Sequence, residues 1–70
     1  MTKYFVNKNQ QSGYGYNHEV HKSWCPYLPE SHNLINLGDC YSDKEALRKA
    51  QTYFENADGC YYCCESIHKK

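Results

Sequence analysis

The chain has no net charge: eight Lys and Arg offset eight Asp and Glu. A protein devoted to nucleic acid carries a clear basic surplus against the phosphates it neutralises. Composition therefore gives no strong sign of DNA binding, and the four histidines add charge only below neutrality. Long apolar runs are also missing. Nothing approaches the ~20 apolar residues of a membrane span, and the opening MTKYFVNKN lacks the apolar stretch of an export signal. A cytoplasmic protein with no membrane partner is expected.

Aliphatic side chains are scarce. Val6, Val20, Leu28, Leu34, Ile35, Leu37, Leu47 and Ile67 are the main ones, and eight tyrosines and five cysteines account for much of the 40% hydrophobic fraction. Phe5, Trp24, Phe54 and several tyrosines are expected to fill the core in their place. The 70 residues make a single small domain, 1–70. Chains of this size bury only about 60% of their unfolded surface, and their cores rarely supply more than ~3–5 kcal/mol. A staple is needed. In a reducing compartment, closely spaced cysteines serve as metal ligands or catalytic thiols rather than disulfides. Five cysteines also leave one over in any fully paired scheme.

The local patterns predict an α+β domain of about three short antiparallel strands, one main helix and a C-terminal cysteine knuckle. Lys3–Lys8 (KYFVNK) and His18–Lys22 (HEVHK) read as strands, separated by a Gly-, Asn- and Gln-rich loop over Asn9–Asn17. Ser23–His32 holds both prolines and reads as irregular, and Asn33–Leu37 (NLINL) is a third strand ended by Gly38-Asp39. Ser42 and Glu45 form a capping box, each side chain serving the other's backbone amide, and Asp43 suits the helix dipole. Ala46, Leu47, Ala50, Tyr53, Phe54 and Ala57 follow at helical spacing, with Gly59 as the terminator.

The segment DGCYYCC, residues 58–64, carries Cys60-x2-Cys63 and an extra Cys64. A structural zinc takes four N or S ligands, usually delivered as two close pairs. The upstream pair that answers Cys60 and Cys63 is His21-x3-Cys25. His18 competes with His21, but residues 18 and 21 of one strand face opposite ways, and His21 has the better spacing to Cys25. Cys64 is a second candidate for the place of Cys63, and His68 for a rearranged site. Otherwise Cys64 is a bystander, Cys40 a buried or half-buried thiol, His68 a solvated tail residue, and His18 and His32 surface residues. For the tyrosines and Trp24, packing in the core and around the metal is a cheaper explanation than a binding face. The HEVH string lacks the helical spacing of a metalloprotease motif.

His21-x3-Cys25, Pro26-Tyr27-Leu28, a strand, a capped helix opening Ser42-Asp-Lys-Glu-Ala46 and then Gly59-Cys60-x2-Cys63 together resemble the Ada-type zinc-binding module, over roughly residues 18–64. Residues 3–17 look more like small uncharacterised bacterial relatives of that module. The resemblance implies a zinc held by His21, Cys25, Cys60 and Cys63. In Ada itself four cysteines bind the metal, and the first of the upstream pair accepts a methyl group from DNA. That position is His21 here, so the methyl transfer does not carry over.

The expected function is a non-enzymatic binding or interaction module with a structural zinc, its partner an unknown protein or nucleic acid. Two other classes stand beside it. One is a thiol-reactive protein, either an alkyl acceptor through Cys25 or a redox sensor through Cys60, Cys63 and Cys64. The other is a DNA-binding module.

Overall fold

The computed structural model describes residues 1–10 and 17–68. Strand β1 runs Thr2–Asn7 and β2 runs His18–Lys22. They pair antiparallel, with Tyr4 opposite Lys22 and Val6 opposite Val20. Directly opposed residues share a face, so Tyr4, Val6, Val20 and Lys22 look one way and Phe5 and His21 the other. The stretch 11–16 of the expected Asn9–Asn17 loop lies outside the described residues.

The third strand is longer than its sequence suggests. β3 covers Leu34–Cys40 and pairs antiparallel with β1 throughout, including the Gly38-Asp39 that was expected to end it. The register shifts between Tyr4 and Phe5, where Leu37 is the extra residue. Gly38 takes φ +78° there, a conformation open to glycine, and Asn36 Oδ1 accepts from its amide at 2.7 Å. The result is a bulge that re-aims the strand without stopping it.

Helix α1 spans Asp43–Gln51, with Ser42 as N-cap. Half of the expected box is present: Ser42 Oγ accepts from the Glu45 amide at 3.2 Å. The Glu45 carboxylate passes over Ser42 and accepts from the Tyr41 amide at 2.6 Å instead. Ala46 and Ala50 have no exposed surface, and these small residues let the helix lie close on the sheet. The helix is shorter than its apolar stripe. It ends at Thr52, whose hydroxyl donates to the Lys49 carbonyl at 2.6 Å. Tyr53 points to solvent, Phe54 follows the helix, and Ala57 begins a strand.

That strand, β4 (Ala57–Gly59), is the fourth in a sheet ordered β3-β1-β2-β4. It runs parallel to β2, with Val20 opposite Gly59. Gly59 does not terminate the helix. A Cβ there would stand 2.4 Å from Ile67 Cγ1 and 2.6 Å from the Cys64 carbonyl oxygen, so close packing favours glycine here. The fold is α+β, with four strands rather than three and a mixed sheet rather than a wholly antiparallel one.

The core is made by Tyr4, Val6, Val20, Leu37, Ala46, Ala50, Ile67 and all five cysteines. Tyr4 donates to the Asp43 carboxylate at the start of α1, which places the helix on the Tyr4–Val20 face. The expected aromatic filling is only partly realised. Trp24, Tyr27, Tyr41, Tyr53, Tyr61 and Tyr62 are all more than half exposed. His18, expected at the surface, is buried instead. Its ring stacks on Phe54 with centroids 3.7 Å apart, and its Nδ1 donates to the Asn7 carbonyl at 2.9 Å. His32 is exposed as expected.

Candidate metal centre

Parallel pairing of β2 and β4 assembles the site. The register that sets Val20 against Gly59 brings the residues that follow them in the chain, His21 and Cys60, to the same end of the sheet. The Cys60 amide extends the pairing by donating to the Val20 carbonyl at 2.9 Å. Beyond β2 the chain turns back at once: the Cys25 amide donates to the Lys22 carbonyl at 3.0 Å and the Ser23 amide to Lys3 at 2.9 Å. Beyond β4 the Cys64 amide donates to the Cys60 carbonyl at 2.9 Å and closes the knuckle. Its fourth residue, Cys63, accepts the Lys22 amide on Sγ at 3.3 Å.

These turns gather one ligand atom each from His21, Cys25, Cys60 and Cys63 within 4.8 Å of one another, and all four residues are buried. In a tetrahedral zinc site with Zn–S bonds of about 2.3 Å, sulfurs lie ~3.8 Å apart. Cys25 Sγ and Cys60 Sγ are 3.9 Å apart. The group is positioned to hold a metal ion.

His21 gives the clearest sign. It is fully buried, and neither ring nitrogen has a hydrogen-bond partner. A buried polar atom without a partner is unfavourable by roughly 1–3 kcal/mol, and this ring has two. Burial lowers its pKa to about 4, so the imidazole is neutral at pH 7, the form that binds metal. Nε2 lies 3.5 Å from Glu19 Oε1. With the ring neutral this is not an ion pair, but it is the placement of a carboxylate that orients a metal-bound histidine from behind.

The thiols have the same character. Burial raises the pKa of Cys25, Cys60 and Cys63. Without a cation the three would stay protonated, whereas a bound metal deprotonates them. The Lys22 amide on Cys63 then becomes an N–H donor to a thiolate.

The other candidates fall outside the group. Cys64 is fully buried, with Sγ 3.8 Å from Cys63 Sγ, and its thiol is pushed upward by burial first and by Cys63 and Asp43 next. His68 is no solvated tail residue: its Nδ1 donates to the Gly59 carbonyl at 2.9 Å and lies 3.4 Å from Asp58. Cys40 is buried under α1, and burial raises its thiol as well. Sequence reasoning missed Glu19, whose place beside His21 follows from their two-residue spacing on one strand. It also missed β4, whose three residues show no periodicity of their own.

Compared with family models, with curated proteins and with solved structures, the chain matches none. No described helix is long and apolar enough to cross a membrane.

Proposed function

We propose that this chain is a non-enzymatic binding module whose fold is held by a structural zinc on His21, Cys25, Cys60 and Cys63. The observation that carries the reading is the buried convergence of these four donors, with both His21 nitrogens otherwise unpartnered. Three sulfurs and an imidazole suit zinc among divalent metals. Four protein ligands leave no open position for a water, which sets the site apart from hydrolytic zinc centres. Structural zinc in peptide-sized sites contributes ~10–16 kcal/mol, more than a core this small supplies. The Ada-type resemblance belongs to the same proposal, as an architecture of paired ligands around a capped helix.

Burial speaks against thiol reactivity. All five cysteines are buried, and burial raises the thiols of Cys40 and Cys64, the two outside the ligand group, the reverse of an activated nucleophile. Neutral overall charge speaks against DNA.

Elemental analysis of the purified chain tests the zinc directly. One equivalent of zinc is expected, with loss of the folded circular-dichroism and NMR signal when a strong chelator removes it. A chain that stays folded and metal-free after thorough chelation overturns the proposal.

A further inference from the structure

Beside the metal centre lies an open pocket of about 410 Å³, walled by Glu19, Tyr27, Cys60, Tyr61 and Tyr62. Its size is at the low end for small-ligand sites. The three tyrosines are 56–69% exposed, so core packing does not account for them. Each nevertheless packs edge-on against, or receives the edge of, a neighbouring ring. Tyr27 meets Tyr62 edge-on at 5.3 Å and 75°, and Tyr61 meets His68 edge-on at 5.2 Å and 85°. Tyr61 and Tyr62 are the two residues between the knuckle cysteines, and Tyr27 follows Cys25 by two. The turns that gather the sulfurs therefore also present the rings.

Glu19 supplies the charge. Its side chain is three-quarters buried. Among the described residues, the one group within ion-pair distance is the ring of His21, a member of the metal-ligand group. No wall of the pocket is basic.

Aromatic faces carry the negative end of the ring quadrupole and attract cations, most strongly where water is displaced. A neutral ligand would bury the Glu19 carboxylate without compensation. An anion would be repelled by it. A bare metal ion would find one carboxylate and too few oxygens.

We propose that this pocket binds an alkylammonium cation, its carbon groups against Tyr27, Tyr61 and Tyr62 and its charge toward Glu19. One contribution rests on the zinc reading. A zinc with three thiolates and a neutral imidazole carries net charge −1, and Cys60 brings that charge to the pocket wall. The rings and Glu19 do not depend on it.

NMR titration of the full chain, with metal content measured on the same sample, tests the proposal. Its three probes are choline, a peptide bearing trimethyllysine, and 3,3-dimethylbutan-1-ol, the uncharged isostere of choline. Saturable shifts centred on Glu19, Tyr27, Tyr61 and Tyr62 are expected with both cations, and the alcohol binds at least about tenfold more weakly. Tyr62→Leu, a change at an exposed position, weakens choline binding by roughly fivefold or more without loss of the folded spectrum, and Tyr27→Leu does the same. Tighter binding of the peptide assigns the cation to a partner protein, and tighter binding of choline to a free small molecule. Absence of saturable shifts with either cation, or equal affinity for the alcohol, overturns the proposal. Choline binding to a folded sample that contains no metal removes the zinc reading and leaves this one standing.

Discussion

The two faces of β2 bury neighbouring residues by opposite means. On one face Val20 lies against Val6, Ala46 and Ala50, an apolar packing closed over by α1. On the other His21 is just as completely buried, yet its neighbours are Cys25, Cys60 and Cys63, and its ring nitrogens have no hydrogen-bond partner. The helix side is satisfied by its own atoms. The knuckle side is satisfied once a cation is added. A sheet this small, with so few aliphatic residues, has apolar packing for one face, and on the other it gathers four residues positioned to hold a metal ion.

The adjacent cysteines 63 and 64 mark the border, and substituting each in turn is the sharpest way to break the comparison. Cys63 belongs to the ligand group, whereas Cys64 is fully buried outside it, with Asp43 of the helix side among the charges that raise its thiol. Cys63→Ala is expected to abolish stoichiometric zinc and the folded spectrum, a loss on the scale of the ~10–16 kcal/mol of such sites. Cys64→Ala is expected to keep one equivalent of zinc and to lose about 1 kcal/mol through lost packing. Metal content and urea unfolding of the two variants, side by side, check both. Equal zinc loss in both would show that Cys64 is a ligand after all.

Gly59 joins the two faces, and its substitution ranks next. In Gly59→Ala the new methyl meets the flexible Ile67 side chain at 2.4 Å and the Cys64 carbonyl at 2.6 Å. Ile67 can rotate away, but the carbonyl can yield only by moving the knuckle backbone. Overpacking of this kind is unfavourable by ~1–3 kcal/mol. Urea unfolding at fixed free zinc should show that loss, with zinc stoichiometry unchanged.

The ligand group was legible from spacing, because His21-x3-Cys25 and Cys60-x2-Cys63 are short-range patterns that depend on local turns. The strand HEVHK was legible to the residue for a similar reason: its termini coincide with changes in composition. What failed was whatever depended on tertiary partners. The helical spacing of Tyr53, Phe54 and Ala57 continues past Gln51, but Phe54 is held by stacking on His18, and Ala57 by pairing with His18 across the sheet. Neither contact leaves a local trace. Gly38 and Gly59 both read as stops, yet one serves a bulge and the other a close approach, and the difference lies in strands far away in sequence. The exposed tyrosines were misread because composition alone favours burying aromatic rings in a chain poor in aliphatics.

The smallest expected effect asks whether the two faces fold as one unit. Ser42 caps α1, on the helix side, and its hydroxyl takes the Glu45 amide. Replacing an N-cap serine with alanine lowers stability by about 1 kcal/mol. If the metal-free chain is unfolded, zinc binding includes the free energy of folding, and a loss at the cap must appear as weaker zinc binding. A change of 1 kcal/mol corresponds to about fivefold in affinity. Ser42→Ala is therefore expected to bind one zinc about fivefold more weakly, measured by competition with a chelator of known affinity, although Ser42 is not among the proposed ligands. An unchanged affinity would mean that the helix side is folded before the metal arrives, with the knuckle alone ordered by binding.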